Sequence, residues 1–202
     1  GRPSIGSGLI FPLNEEKIMV DPLYLEDHWP RIAAIDFGWD HPTAVVWCAI
    51  DTEAEMFYVY DCYRASKASP AVHSEAIRGR PHFIPIAYPH DGNRRDSMGN
   101  PGLADQYRNL GCNFLLEHFT NPPALGNNKG SNSIEEGLMA LLQAMEGGKF
   151  KVFSTLGDWF EEFRMYHRKQ NKVVPFRDDI MSATRYAFQY QMFAVACKDP
   201  VS

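Results

Sequence analysis

The chain has 202 residues, of which 45% are hydrophobic and 13% aromatic, enough for one domain with a full core that needs no disulfide staples. A formal net charge of −5 excludes a protein that holds nucleic acid by bulk charge, yet it suits an acidic, cation-collecting site with local basic patches. No run of about 18 apolar residues occurs, so no membrane span is expected. Gly1, Arg2, Pro3 and Ser4 do not open a signal peptide, and without an initiator Met the chain is expected to be a piece of something longer. Cys48, Cys62, Cys112 and Cys197 form no CxxC pair and have mostly apolar neighbours, so they are expected to be reduced core or near-core thiols rather than zinc ligands.

Residues 1–30, punctuated by Pro3, Pro12, Pro22 and Pro30, suggest an extended lead-in with a short strand or hairpin. Three apolar runs follow at 31–37, 43–50 and 56–64, with turn residues between them, and predict an antiparallel meander. Residues 70–78 have helical spacing, with a Pro near the start and Gly79 after the end. A strand is predicted over 83–88, a helix over 102–110 with Gly111 as its stop, and a strand over 113–117. Residues 119–132, with Pro122, Pro123, Gly126 and Gly130, predict a long loop.

An amphipathic helix is predicted over 131–145, with Ile134, Leu138, Leu141, Leu142 and Met145 on one face. A short strand at 150–153 and a helix over 156–168, with Trp159, Phe160 and Phe163 inward, come next. The last helix is predicted over 178–196, with a stripe of Ile180, Ala183, Ala187, Tyr190 and Ala194. The order from residue 31 is β-β-β-α-β-α-β, which resembles the ribonuclease H-like α/β fold: three antiparallel strands, then alternating elements, in a mixed sheet flanked by helices. One domain over 1–202 is expected, with a core at 31–196 and a tail at 197–202.

The chemistry points to carboxylates. Asp36 ends an apolar strand, where an ionised side chain is costly unless paired or metal-bound. Asp40, before Pro42, suits a turn. Asp91 follows the 83–88 run, and if that strand lies beside the first, Asp36 and Asp91 meet at one sheet edge. Asp178 and Asp179 open the last helix, where negative charge is favourable in any protein and Asp178 is a natural N-cap. Consecutive helical residues diverge by about 100°, so one of the two is expected to face a metal directly. Asp179 is favoured, with Asp178 close behind.

Asp36, Asp91 and Asp179 would then be the catalytic carboxylates, with Asp178 beside them in the metal set. Two Mg²⁺ or Mn²⁺ ions about 4 Å apart would bracket a scissile phosphate. Arg94 and Arg95 near Asp91 are candidates to contact DNA, as are Arg168, Lys169 and Lys172 in a basic stretch that also holds Arg164, His167 and Arg177.

These residues also carry a family resemblance. Asp36-Phe37-Gly38-Trp39-Asp40-His41-Pro42-Thr43-Ala44 resembles the first nuclease motif of the large terminases of tailed phages. Asp91 resembles the second acidic position, and Asn132-Ser133-Ile134-Glu135-Glu136-Gly137-Leu138 the helix before the last motif. Asp178-Asp179-Ile180-Met181-Ser182-Ala183-Thr184-Arg185-Tyr186-Ala187 resembles the closing motif, although Ser182 stands where some relatives place another acid. The resemblance runs from about residue 8 to about residue 195 and is strongest to the headful-packaging, short-tailed type.

It implies a metal-dependent endonuclease that cuts concatemeric viral double-stranded DNA during packaging. Its implied partners are a small terminase subunit, the portal and an N-terminal ATPase domain of its own. The implied location is the host cytoplasm, and transiently the procapsid portal. The chain has no GxxxxGK[ST] P-loop, so the nuclease half is implied. Three alternatives stand beside it: another ribonuclease H-like nuclease of resolvase or transposase type, an actin-like ATP-binding domain suggested by Asp36-Phe37-Gly38, and a non-catalytic portal or motor docking module.

Overall fold

The structure, a computed structural model, describes residues 8–93, 101–120, 134–169 and 172–197. β1 (Met19–Val20) precedes a meander of β2 (Arg31–Asp36), β3 (Thr43–Asp51) and β4 (Met56–Ala65). Then come α1 (Pro70–Arg78), β5 (Ile86–Ala87), α2 (Leu103–Asn109), α3 (Glu135–Glu146) and β6 (Phe150–Phe153). The chain continues with α4 (Gly157–Met165), a small hairpin of β7 (Arg168–Lys169) and β8 (Lys172–Val173), and α5 (Asp179–Gln189). No helix among the described residues is long and apolar enough to cross a membrane.

The six-stranded sheet has the order β1-β6-β4-β3-β2-β5. β3 runs antiparallel to both β2 and β4, whereas β5 runs with β2, β6 with β4, and β1 with β6. This is the mixed ribonuclease H-like sheet that the element order predicts. Residues 32–35 of β2 and 44–50 of β3 are apolar because both faces are covered there. Ile32 and Ala34 of β2, with Ala44, Val46 and Cys48 of β3, join a core shared with α3, α4 and α5. The alternate residues, Ala33, Ile35, Val45 and Trp47, join a second core with α1 and α2. The period of two assigns each side chain to a layer.

The helical stripes are buried as expected: Leu138, Leu141 and Met145 on α3, Trp159, Phe160 and Phe163 on α4, and Ile180, Ala183 and Ala187 on α5. Cys48 and Cys112 are buried thiols, while Cys197 is exposed.

Several boundaries move. The strand expected over 113–117 shrinks to one parallel bridge, Phe114 to Ile86, and the one over 83–88 to Ile86–Ala87. Phe114 is instead held by ring stacking on Tyr88 and Tyr107. The helix expected to reach residue 168 ends at Met165, because Arg168 turns into the β7–β8 hairpin. The last helix ends at Gln189, followed by a 3-10 turn at Gln191–Phe193 and a bridge from Val195 to Arg31. Residues 8–30 are more than a lead-in: Ile10, Phe11 and Ile18 are in the core, and β1 closes one sheet edge. Of the loop expected over 119–132, only 119 and 120 lie within the described residues.

Two glycines fix how the β2 and β5 ends meet. A Cβ on Gly38 would lie 2.4 Å from the His41 carbonyl oxygen, in a turn that Thr43 closes by accepting from Gly38 N (3.1 Å) and donating to Gly38 O (2.9 Å). A Cβ on Gly92 would lie 2.8 Å from rings of both Phe37 and Tyr88. Gly92→Ala should therefore force the Phe37 ring away and destabilise the fold by about 1–3 kcal/mol, read as a drop in the urea midpoint. An unchanged midpoint would mean that this contact does not clamp the two strand ends.

Candidate metal-ion active site

Parallel pairing brings the first two carboxylates together. Ala33 and Ala34 of β2 face Ile86 and Ala87 of β5, so both strands end on the same side of the sheet. Asp36 is the last residue of β2, and Asp91 sits in the 3-10 turn His90–Asn93 just beyond β5. Asp36 shares the sheet face of Ile32 and Ala34, the face covered by α5. The α5 start then supplies Asp178 and Asp179, and Tyr186 of α5 donates its hydroxyl to Asp36 Oδ1 at 3.4 Å.

The electrostatics record the crowding. Burial pushes the Asp36 carboxyl well above the ordinary carboxylate range; Asp179, Asp91 and Asp178 push it further, and Arg185 opposes them. Burial and then Asp179 raise Asp178 to about 6, with His41 pulling the other way. Asp179, only 6% exposed, is raised by burial and held down in part by His41. Asp91 Oδ1 and Asp179 Oδ2 are buried and accept no hydrogen bond among the described residues. A buried carboxylate oxygen without a donor is costly, and a divalent cation is the partner that would satisfy it.

No three His, Cys, Asp or Glu side chains among the described residues stand close enough to enclose one ion.

Two depressions flank the turn after β2. One, about 280 Å³, is lined by Phe37, Trp39, His73, Asp91 and Tyr107 among others. The other, about 320 Å³, is lined by Asp40, His41, Arg64, Glu162, Arg177 and Asp179 among others. Trp39, on the wall of the first, is 60% exposed.

The structure thus unites Asp36, Asp91, Asp178 and Asp179, all anticipated from the sequence. Asp178 occupies the expected N-cap position but makes no side-chain cap hydrogen bond. Arg94 and Arg95 lie outside the described residues. Arg168 forms an ion pair with Glu135, its Nη2 lying 2.7 Å from Oε2, while Lys169 and Lys172 are exposed on the β7–β8 hairpin. The sequence reading missed Glu162, Arg64, His41 and Tyr186. Glu162 had a legible signal: it stands three residues after Trp159, on the apolar face of α4.

A ribonuclease H-like sheet with an acidic cluster at the carboxyl ends of β2 and β5 defines a nuclease-type fold and site. Residues 33–191 match the terminase RNaseH-like domain family, and the chain belongs to that family. It is 38% identical to the large terminase subunit of Salmonella phage P22 over 200 residues, which is 98% of this chain and 39% of the relative. The solved nuclease domain of the P22 large terminase superposes with a TM-score of 0.85 at 37% identity, covering 98% of this chain and 100% of that domain. The large terminase nuclease domain of phage SPP1, solved with bound Mn, shares the fold at 17% identity, with a TM-score of 0.58 over 86% of this chain and 96% of that one. The family is the one the motifs resemble, and not that of the actin-like, resolvase or transposase alternatives.

The raised carboxyls set a pH dependence. A carboxyl whose folded value lies above its unfolded value stabilises the fold below the unfolded value, and that stability is lost as pH rises through the folded value. For Asp178 the window runs from 3.8 to about 6, and for Glu162, which burial raises most, from 4.5 to about 7. In EDTA the urea midpoint should fall between about pH 4 and about pH 7, and Asp178→Asn should flatten the slope and raise the midpoint at the upper end. A midpoint that climbs over this range would mean that the carboxylates are stabilised as anions.

Proposed function

We propose that this chain is the nuclease part of a large terminase, a single domain that hydrolyses phosphodiester bonds of concatemeric viral double-stranded DNA with two divalent ions, Mg²⁺ or Mn²⁺. The observation that carries this reading is the convergence of Asp36, Asp91 and Asp179 at one sheet edge, with Asp91 Oδ1 and Asp179 Oδ2 buried and lacking donors. Asp36, Asp91 and Asp179 would hold the ions as catalytic carboxylates, with Asp178 assisting. When bound, such ions place Lewis-acid charge on the phosphate and ease ionisation of the attacking water.

The chain's own residues prepare that site. Burial and mutual repulsion keep the carboxyls poised to exchange protons for cations as pH rises. Tyr186 steadies one Asp36 oxygen. Core packing from α5 onto β2 and β3 holds the helix start against the sheet edge.

The chain spans 39% of the length of its curated P22 relative. An ATPase domain in the same polypeptide, a small terminase subunit and the portal are therefore proposed as partners. So is a location in the host cytoplasm with transient residence at the procapsid portal. Arg94, Arg95, Arg168, Lys169 and Lys172 are proposed to face the DNA backbone.

Incubated with supercoiled plasmid, the protein should cut in Mg²⁺ or Mn²⁺ and not in EDTA. Asp36→Asn should lower the rate by more than the about 100-fold seen when outer-shell partners are lost. Cutting that survives Asp36→Asn would overturn the assignment. Replacing both Lys169 and Lys172 by Ala should weaken DNA binding across sequences and reduce the slope of log affinity against log salt by about 2. An unchanged slope would take the hairpin out of the DNA interface.

A further inference from the structure

α5 begins with an unusual division of labour. The first amides of a helix need acceptors, and the residue before the helix commonly supplies one. Asp178 stands at that position and supplies none. The acceptor comes from α4: Glu162 Oε2 accepts from Ile180 N at 2.7 Å and from Met181 N at 3.3 Å. Its other oxygen, Oε1, accepts from Arg64 Nη1 at 3.2 Å. Glu162 is fully buried. Both of its oxygens face N–H donors, so it is not arranged as a metal ligand.

Arg64 ties this carboxylate to the sheet. Asp36 pairs with Ala44, and Ala44 with Arg64, so the three form one row across β2, β3 and β4. At the usual strand spacing that row is about 10 Å long. Arg64 also contacts Asp158 and Glu161 of α4, and Glu161 holds Arg177, a non-glycine residue with φ of 50° just before the acid pair. The row that ends in Asp36 is therefore linked through Arg64 and Glu162 to the backbone amides directly after Asp179.

Resting on the nuclease reading above, we propose that Glu162, locked by Arg64, is the positioning residue that sets Asp179 against Asp36 and releases Asp178 from helix capping into the metal site.

The test is Mn²⁺ uptake by calorimetry, with kcat and KM for plasmid cleavage alongside, at a temperature where circular dichroism shows each variant folded. Glu162→Gln and Arg64→Met should each weaken Mn²⁺ binding by about tenfold or more. Both should lower kcat and leave KM for DNA unchanged. Charge acting through space predicts opposite signs for the two variants, because deleting a cation beside the site tightens Mn²⁺ binding. Tighter or unchanged binding in Arg64→Met, or unchanged binding in Glu162→Gln, would overturn the proposal. If Arg64→Met does not fold, Arg64→Lys serves: it keeps the charge and loses the fork, so positioning predicts weaker Mn²⁺ binding and charge alone predicts none. Wild-type protein that takes up no Mn²⁺, or takes it up equally well as Asp36→Asn, would overturn the nuclease reading itself and this proposal with it.

Discussion

Four carboxyl groups crowd one edge of the sheet, and in water they would move apart. Asp36 and Asp91 cannot, because β2 and β5 run parallel and end together. Asp178 and Asp179 cannot, because α5 is packed across β2 and β3. The fold thus holds like charges in place and does not neutralise them all with its own cations. Burial raises the Asp36, Asp178 and Asp179 carboxyls, and repulsion from neighbouring acids adds to it at Asp36 and Asp178. Stability given up here is recovered in the cores on either face, as is common at functional sites.

Much of the remaining architecture serves to keep this edge in register. Gly92 lies so close to Phe37 and Tyr88 that no side chain fits, which brings the turn bearing Asp91 against the residue after Asp36. Gly38 does the same for the turn on the other side. Trp159 donates its indole N–H to Thr184 Oγ1 at 3.0 Å inside the core, pinning α4 to α5 below the site. Arg185, buried on α5, places one positive charge near Asp36 without removing the acidity of the cluster. The modest net charge of the chain follows from the same design, since an acidic site contributes to it.

Family membership and the acidic edge bear on different questions. The match over residues 33–191 places the chain among terminase nuclease-like domains. The proposed chemistry rests on this chain's own oxygen atoms, two of which are buried without a donor among the described residues.

The sequence by itself determined the strand meander and the inward faces of α3, α4 and α5, and it singled out Asp36, Asp91, Asp178 and Asp179 as candidate acids. Local physics is enough for these: apolar runs set strands, a period near 3.6 sets helix faces, and an acid at the end of an apolar run stands out. Asn113 to Glu117 were misread because an apolar run cannot report whether a neighbouring strand has room to pair, and here Phe114 is taken up by Tyr88 and Tyr107. The helix end at Met165 was misread because Arg168 pairs into a hairpin, a contact that helical spacing does not encode. Only the tertiary structure decided what caps α5. Its N-terminal position favours Asp178 by local rules, yet Glu162, 18 residues from Ile180 in the chain, takes the Ile180 amide. A carboxylate already buried and fixed by Arg64 pays no further ordering cost to do so, and that is a property of packing between α4, α5 and β4 that no local pattern contains.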